Sequence, residues 1–217
     1  MSPRPRVTSD ETILAALIRT LGRLGPGRLT LADVAREAGV SPATLVQRFG
    51  SKRGLLLAMA ASGAEANREL YVAIRRQHAS PTAAILALGD CMVQFMGTPE
   101  EISNGLAFLQ MDLTDPDFRR HAVASAETGD TEIRRMIADA VDAGELAGCD
   151  PASLARVVGA TLHGSLVSWA IRRNGTPGEW IRKDLETILR PYRTAGKKTR
   201  TGFRDARAPR RRRGRRT

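Results

Sequence analysis

The sequence contains few aromatic residues, few cysteines and no long apolar run. Its 217 residues include two Trp, two Tyr and five Phe, and this scarcity favours helices, because sheets are rich in aromatic and β-branched side chains. No run of 18 or more apolar residues is present, so we expect no membrane-spanning segment. Residues 1–12 contain charges but no apolar stretch, and we expect no signal peptide there.

The sequence also lacks the motifs of metal sites and of common enzymes. Cys91 and Cys149 stand alone, without the spacing of a zinc site or a redox motif, and we expect both to be small core residues in a reducing cytoplasm. Zinc-protease, nucleophile-elbow, phosphate-loop and dinucleotide-binding motifs are missing. We therefore expect no enzymatic activity and no cofactor; the enzyme alternative would require an activity that depends on His163.

The formal charge of +11 is distributed unevenly along the chain. Residues 1–55 carry a net charge of +5, residues 56–196 carry −4 and residues 197–217 carry +10. The two ends, rather than the middle, are therefore the candidates for binding a polyanion. The last segment has almost no apolar side chains to bury, so we expect the tail over residues 196–217 to be disordered.

Apolar periodicity and helix-start signals predict an all-α fold of about nine helices. Leu14, Leu17, Ile18 and Leu21 form one helical stripe, which we expect to end at the glycine-rich segment 22–27. Five polar–proline pairs predict five later helix starts, because the polar side chain caps the first turn and proline fits the first helical position. These pairs are Ser80-Pro81, Thr98-Pro99, Asp115-Pro116, Asp150-Pro151 and Thr176-Pro177.

Residues 30–49 predict a helix-turn-helix, in which two short helices are joined by a tight turn at Gly39-Val40. Thr30 and Ser41 are suitable N-cap residues for the two helices. Apolar residues would hold the helices at a fixed angle: Leu31, Val34, Ala35, Val40, Leu45 and Phe49. The outer side of the second helix stays exposed, and such a helix fits the DNA major groove.

The segment from Leu29 to Leu56 resembles the DNA-binding signature of the TetR family of bacterial regulators. The matching residues are Thr30, Val34, Ala35, Ala38, Gly39, Val40, Ser41, Thr44, Leu45, Phe49, Ser51, Lys52, Leu55 and Leu56. The resemblance implies an N-terminal three-helix DNA-binding domain over residues 7–67 and a helical ligand-binding and dimerisation domain over residues 68–195. The chain departs from the family at Val46, where Tyr is usual, and at Arg48, where His is common.

The resemblance also implies which residues bind double-stranded DNA. They are Thr30, Ser41, Ala43, Thr44, Val46, Gln47, Arg48 and Lys52. Thr30, Thr44 and Lys52 would contact phosphates, whereas Ala43, Thr44 and Gln47 would contact base edges, with Gln47 suited to adenine. Val46 removes a phosphate contact that Tyr makes in relatives, and Arg48 would replace it with a charged one. The alternative for each residue is an ordinary solvated helix position.

Two apolar stripes near the C-terminus predict either a homodimer interface or the core of one chain. They are formed by Leu154, Val158, Leu162 and Leu166, and by Ile181, Leu185, Ile188 and Tyr192. The family resemblance favours an interface of four helices, two from each subunit. Such a dimer would present two recognition helices to successive major grooves roughly 34–36 Å apart, which requires a near-palindromic operator.

A third set of residues is predicted to line a pocket for a small-molecule effector. The set comprises Met92, Phe95, Met96, Phe108, Leu109, Met111, Met136, His163 and Trp169. Flexible thioethers adapt to variable ligands, although a plain hydrophobic core is the alternative for each residue.

The sequence therefore predicts a cytoplasmic DNA-binding transcriptional regulator, released from its operator by a small molecule. The alternative is a constitutive DNA-binding protein that has no effector and whose basic tail coats DNA through its phosphates. A steep salt dependence with little preference between operator and random DNA would distinguish the alternative from the regulator.

Overall fold

The computed structural model describes residues 8–194, and this part of the chain folds into nine α-helices followed by a short 3₁₀ turn. The helices are α1 (Asp10–Arg28), α2 (Leu31–Ala38), α3 (Pro42–Phe49), α4 (Lys52–Gln77), α5 (Pro81–Phe95), α6 (Pro99–Thr114), α7 (Pro116–Asp142), α8 (Pro151–Arg172) and α9 (Pro177–Leu189). The described residues contain no strand, only one isolated bridge between Leu146 and Arg193. The all-α prediction is confirmed, while the predicted tail lies outside the described residues.

The five polar–proline pairs each begin a helix, as the sequence predicted. In every case the polar side chain accepts a hydrogen bond from a backbone N–H of the first turn, and the proline occupies the first helical position. Thr98 and Thr176 also form capping boxes with the glutamate three residues later. The capping hydrogen bonds lie within one turn of the chain, which is why the sequence revealed these helix starts.

The first helix is interrupted within the segment that the sequence pattern indicated. We expected the glycine-rich segment 22–27 to terminate α1, and Gly25 leaves the helical conformation there, although a last turn continues past this kink to Arg28. Gly25 has φ 72° and ψ 163°, a left-handed φ that side chains with a Cβ rarely adopt. Pro26 then restarts the helix with its fixed φ.

Two hydrophobic clusters form the interior of the protein. The larger cluster contains buried residues of α5, α7, α8 and α9. The smaller cluster is built from α1 to α4 and includes Phe118 of α7, which is fully buried. Phe118 meets Phe108 of α6 edge to face, with ring centroids 5.8 Å apart. The first four helices therefore pack directly onto α6 and α7.

The fourth helix runs through the predicted domain boundary at residues 67–68 without a break. It packs lengthwise against α7, whereas α1 packs against α6. A shift of α4 relative to α7 would therefore move the N-terminal helices as well.

The eighth helix is apolar over most of its surface. By its length and a mean hydropathy of 1.2 it meets the usual requirement for a membrane span, which is weak evidence because core helices meet the same requirement. Seven of its residues are buried, six of them in the larger cluster. The packing of one face thus accounts for part of this apolar composition.

Candidate functional site

A tight turn fixes the angle between α2 and α3. Gly39 ends α2 with φ 69°, a conformation that favours glycine, and the Val40 N–H donates to the Ala35 carbonyl at 3.0 Å. Ser41 then caps α3, its Oγ accepting from the Thr44 N–H at 3.1 Å. Leu45 is fully buried beneath this turn, so the turn and the core hold α3 in one orientation.

The outer side of α3 faces solvent and presents the residues predicted to contact bases. Ala43 and Gln47 are exposed, and Val46 has 48% of its surface exposed although it is apolar. Thr44 is half-buried, and its hydroxyl lies 2.9 Å from the Ser41 hydroxyl. An exposed helix of this size on a rigid turn has the geometry that inserts into a major groove.

Of the predicted phosphate-binding residues, Thr30 caps α2, Thr44 lies in the first turn of α3 and Lys52 begins α4. Thr30 forms a capping box in which its Oγ1 accepts from the Asp33 N–H and its own N–H donates to Asp33 Oδ2. Its Oγ1 also donates to Asp33 Oδ2 at 2.6 Å, and this hydrogen bond holds the pKa of Asp33 below its ordinary value. Lys52 Nζ donates to the Gly27 carbonyl at 3.4 Å. Lys52 therefore lies over the end of α1, close to the chain that leads into Thr30.

Arg48 makes contacts within the chain that the sequence did not predict. Its Nη1 donates to the Thr8 carbonyl at 2.5 Å, and its Nη2 lies 2.5 Å from Asp10 Oδ1. The side chain is only 26% exposed. In this structure the guanidinium fixes α3 against the start of α1 rather than pointing outward to replace the phosphate contact.

The structure distributes the residues predicted to line an effector pocket over both hydrophobic clusters and the exposed surface. Met136 and Trp169 are buried in the larger cluster, and Met92 and Met96 pack against it. Phe108 and Met111 instead pack against the smaller cluster. Leu109 and His163 are exposed, with His163 Nδ1 2.9 Å from the Gly159 carbonyl, and Phe95 is the last residue of α5.

An open cleft of about 390 Å³ lies between α4, α5 and α7. It is lined by Val72, Arg75, Arg76, His78, Pro81, Ala84, Met136 and Asp139. Of these residues the sequence prediction included Met136 alone. The others were missed because the lining brings together residues about 60 positions apart, and the only local signal was the basic run at the end of α4.

A buried carboxylate lies behind this cleft. Glu132 of α7 is 1% exposed and pairs with Arg135 through Oε1, while its Oε2 is 3.7 Å from Arg75 Nη1. Within residues 8–194, Oε2 accepts no hydrogen bond. Arg75 also donates to Asp139 Oδ2 at 2.6 Å. Arg75 therefore bridges α4 to two acidic residues of α7.

The apolar stripes assigned to a dimer interface lie mainly in the core of one chain, which corrects that prediction. Leu154, Val158, Leu162, Leu166, Ile181 and Leu185 are at most 4% exposed, and Ile188 and Tyr192 pack against the same cluster. The first six side chains, enclosed in this way, have no surface left for a partner. Each apolar stripe identifies the buried face of its helix, and the elements that cover this face belong to the same chain.

The sequence matches two family models. Residues 13–59 match bacterial regulatory proteins of the tetR family, and residues 81–191, about half of the chain, match the C-terminal domain of BetI-type transcriptional repressors. The HTH-type transcriptional regulator BetI of Brucella abortus is 37% identical over 111 residues, covering 50% of this chain and 55% of the relative. The chain thus aligns with about half the length of the curated relatives it matches.

Solved structures share the fold at lower sequence identity. Escherichia coli NemR in its reduced form has a TM-score of 0.69 and 18% identity, with 85% of this chain and 97% of that chain covered. A transcriptional regulator of Saccharomonospora viridis in complex with choline has a TM-score of 0.66 and 21% identity, with 83% and 95% covered. Together with the two family models, the exposed recognition helix and the all-α architecture show that the chain belongs to the TetR family of bacterial regulatory proteins and carries a BetI-type C-terminal region.

Proposed function

We propose that the protein is a transcriptional repressor that binds a near-palindromic operator as a homodimer and leaves it when a small molecule binds. The observation that carries this proposal is the rigidly held α3, whose outer side exposes Ala43, Val46 and Gln47. Lys52 supplies a cation that attracts phosphates beside it. Such a protein acts in the cytoplasm, where the chromosome is.

A second face of α8 supports the homodimer. Val157 and Ile171 are 45% and 77% exposed, and Ala160 and Gly164 are exposed between them. These residues recur at helical spacing on the side opposite the buried stripe, and the small residues permit close approach of another helix. We therefore place the partner subunit on this face, which replaces the stripes expected from the sequence.

The packing of α4 supports regulation by an effector. Only two residues separate this helix from α3, and the helix lies along α7 for most of its length. A ligand that changes the α4–α7 contact would therefore also move α3. A coupling free energy of about 1–3 kcal/mol changes operator affinity roughly 5–150-fold. The choline complex of the Saccharomonospora viridis regulator, which has the same fold, supports a small molecule as the effector here.

Footprinting on the DNA upstream of the protein's own gene tests this proposal. We expect a protected near-palindrome that is lost in the double variant Gln47→Ala/Lys52→Ala. The matched control is Gln94→Ala/Lys183→Ala, which changes the same residue types at exposed positions of α5 and α9. Uniform, salt-sensitive coating that survives the first variant and disappears when residues 197–217 are deleted would support the constitutive alternative instead.

A further inference from the structure

The cleft between α4, α5 and α7 has the size and the two-sided lining of a small-molecule site. Its volume of about 390 Å³ lies within the range of roughly 300–1,000 Å³ that is usual for ligand pockets. Val72 and Pro81 contribute partly exposed apolar surface, and the buried Ala84 and Met136 lie beneath it. A ligand that fills the cleft therefore needs an apolar part as well as a polar group.

The polar wall of the cleft carries more positive than negative charge. The end of α4 contributes Arg75, Arg76 and His78, whereas α7 contributes Asp139 to the lining and the buried Glu132 behind it. Arg75 pairs with both acidic residues, and Glu132 is paired a second time by Arg135 of α7. The acidic groups facing the cleft are therefore already neutralised by cations of the protein.

Arg76 is the cation that remains available to a ligand. Its side chain lines the cleft and is exposed, and it makes no hydrogen bond or ion pair with any other residue of the range 8–194. His78 stands beside it with Nδ1 engaged, 2.9 Å from the Ile74 carbonyl, which leaves Nε2 as its second polar atom. A guanidinium presents a planar pair of donors that matches a carboxylate.

We propose that this cleft is the effector site and that it binds a small organic anion with an apolar chain, its carboxylate paired with Arg76. The apolar chain lies on Val72 and Pro81, the apolar lining residues that are partly exposed. A cationic ligand would have to displace Arg75 from Asp139, and that displacement would also remove a cation from the buried Glu132, which is costly. The site thus selects anions over cations such as choline.

The same cleft connects ligand binding to α4. Arg75 joins α4 to α7 through Asp139 and Glu132, and since Arg75, Arg76 and Asp139 line the same cleft, an anion bound at Arg76 would compete with Asp139 for Arg75. A changed Arg75 contact alters how the end of α4 packs on α7. This regulatory part rests on the proposed function, whereas the binding of an anion to the cleft does not require DNA.

Isothermal titration of the full-length chain with a set of matched probes tests the site. The probes are octanoate and phenylacetate as anions, 1-octanol as the neutral analogue, and octyltrimethylammonium and choline as cations. We expect an anion to bind, with 1-octanol at least about tenfold weaker and the cations weaker still. Failure of both anions to bind at millimolar concentration, or tighter binding of a cation, would overturn the proposal.

Two variants within the cleft and one control variant outside it locate the binding. Arg76→Gln is expected to weaken the binding of the anion about tenfold or more, because it removes a charge-assisted pair. Arg68→Gln changes an exposed arginine of the same helix outside the cleft. The affinity of this variant for the anion should equal that of the parent. Val72→Trp fills the cleft and should abolish binding while thermal unfolding shows that the chain still folds. Equal affinity of parent and Arg76→Gln would contradict the assignment.

The outcome also separates this inference from the proposed function. Operator binding that responds to neither anion, together with Arg76-dependent anion binding, would overturn the regulatory link and leave the site itself established. Operator binding in a chain that binds no anion would uphold the DNA-binding function and overturn the site.

Discussion

The guanidinium of Arg53, in the first turn of α4, binds the carboxylate of Asp115, the residue that caps α7. Its Nη2 lies 3.0 and 2.9 Å from the two Asp115 oxygens and 2.9 Å from Asp117 Oδ2. The same guanidinium is 5.6 Å from the centroid of the Phe118 ring. Because α4 follows the recognition helix almost directly, this contact joins the DNA-binding helices to the longest helix of the C-terminal region.

The Arg53–Asp115 contact should make stability depend on pH in acid. Hydrogen bonding to Arg53 holds the pKa of Asp115 below its ordinary value of 3.8. The stabilisation is therefore complete above 3.8 and is lost as the pH falls below it through the folded-state pKa. We expect Asp115→Asn, which keeps a capping side chain, to lower the thermal midpoint near pH 7, with the difference shrinking below pH 3.8. A difference that stays constant in thermal melts across this range would contradict the prediction.

Asp112, three residues before Asp115 in the sequence, should make stability depend on pH in the opposite direction. Partial burial in α6 raises the pKa of its carboxyl above the ordinary value of 3.8. A raised folded-state pKa means that stability falls as the pH rises from 3.8 through that pKa. Asp112→Asn is therefore expected to raise the thermal midpoint at pH 7 and to have no advantage below pH 3.8. The same melting series checks this, and a lower midpoint at pH 7 would disprove it.

Arg48 is expected to influence DNA binding through the position of α3. Arg48→Ala removes the contacts with Thr8 and Asp10, so operator affinity should fall while its dependence on salt stays unchanged. Lys52→Ala should instead reduce the salt slope by about one, as the loss of a phosphate contact does. Fluorescence anisotropy over a range of salt concentrations measures both. A reduced slope for Arg48→Ala would show a direct phosphate contact.

Local signals predicted those features that neighbouring residues determine. The cap at Thr98 and the proline after it begin a helix because their hydrogen bonds lie within one turn. The turn at Gly39 follows in the same way from a left-handed φ. The fold class, the helix starts and the recognition helix could therefore be predicted from the sequence.

Features that join distant segments could not be predicted in this way. Helical spacing of Leu154 and Val158 identifies an apolar face, but the sequence does not say which element covers it, and the covering elements are in the same chain. The pairing of Arg48 with Asp10 depends on how α3 packs on α1. The cleft depends on how residues 72–84 meet α7, so a list of soft apolar residues did not locate it.

Removing Arg75 should destabilise the protein because it leaves a buried carboxylate with fewer partners. Arg75→Gln removes the cation that faces Glu132 Oε2 and Asp139, and since Arg135 still pairs with Glu132 we expect a loss of about 1–3 kcal/mol in the free energy of unfolding. The double variant Arg75→Gln/Glu132→Gln should recover part of this loss. Urea denaturation of the two single variants and the double variant measures the coupling. Strictly additive effects would show that the buried charge is not responsible.

The bend in α1 should tolerate no side chain at Gly25. A Cβ there would lie 2.5 Å from Asn104 Oδ1 in α6, at a backbone φ of +72°. Asn104 cannot easily withdraw, because its Nδ2 donates to the Gly22 carbonyl at 2.6 Å. We expect Gly25→Ala to lower the free energy of unfolding by about 1–3 kcal/mol. Gly27→Ala is the matched control: a Cβ there meets nothing within 4 Å, so it should be neutral or stabilise by up to about 1 kcal/mol. Similar losses for both variants in urea denaturation would mean that the bend does not depend on Gly25.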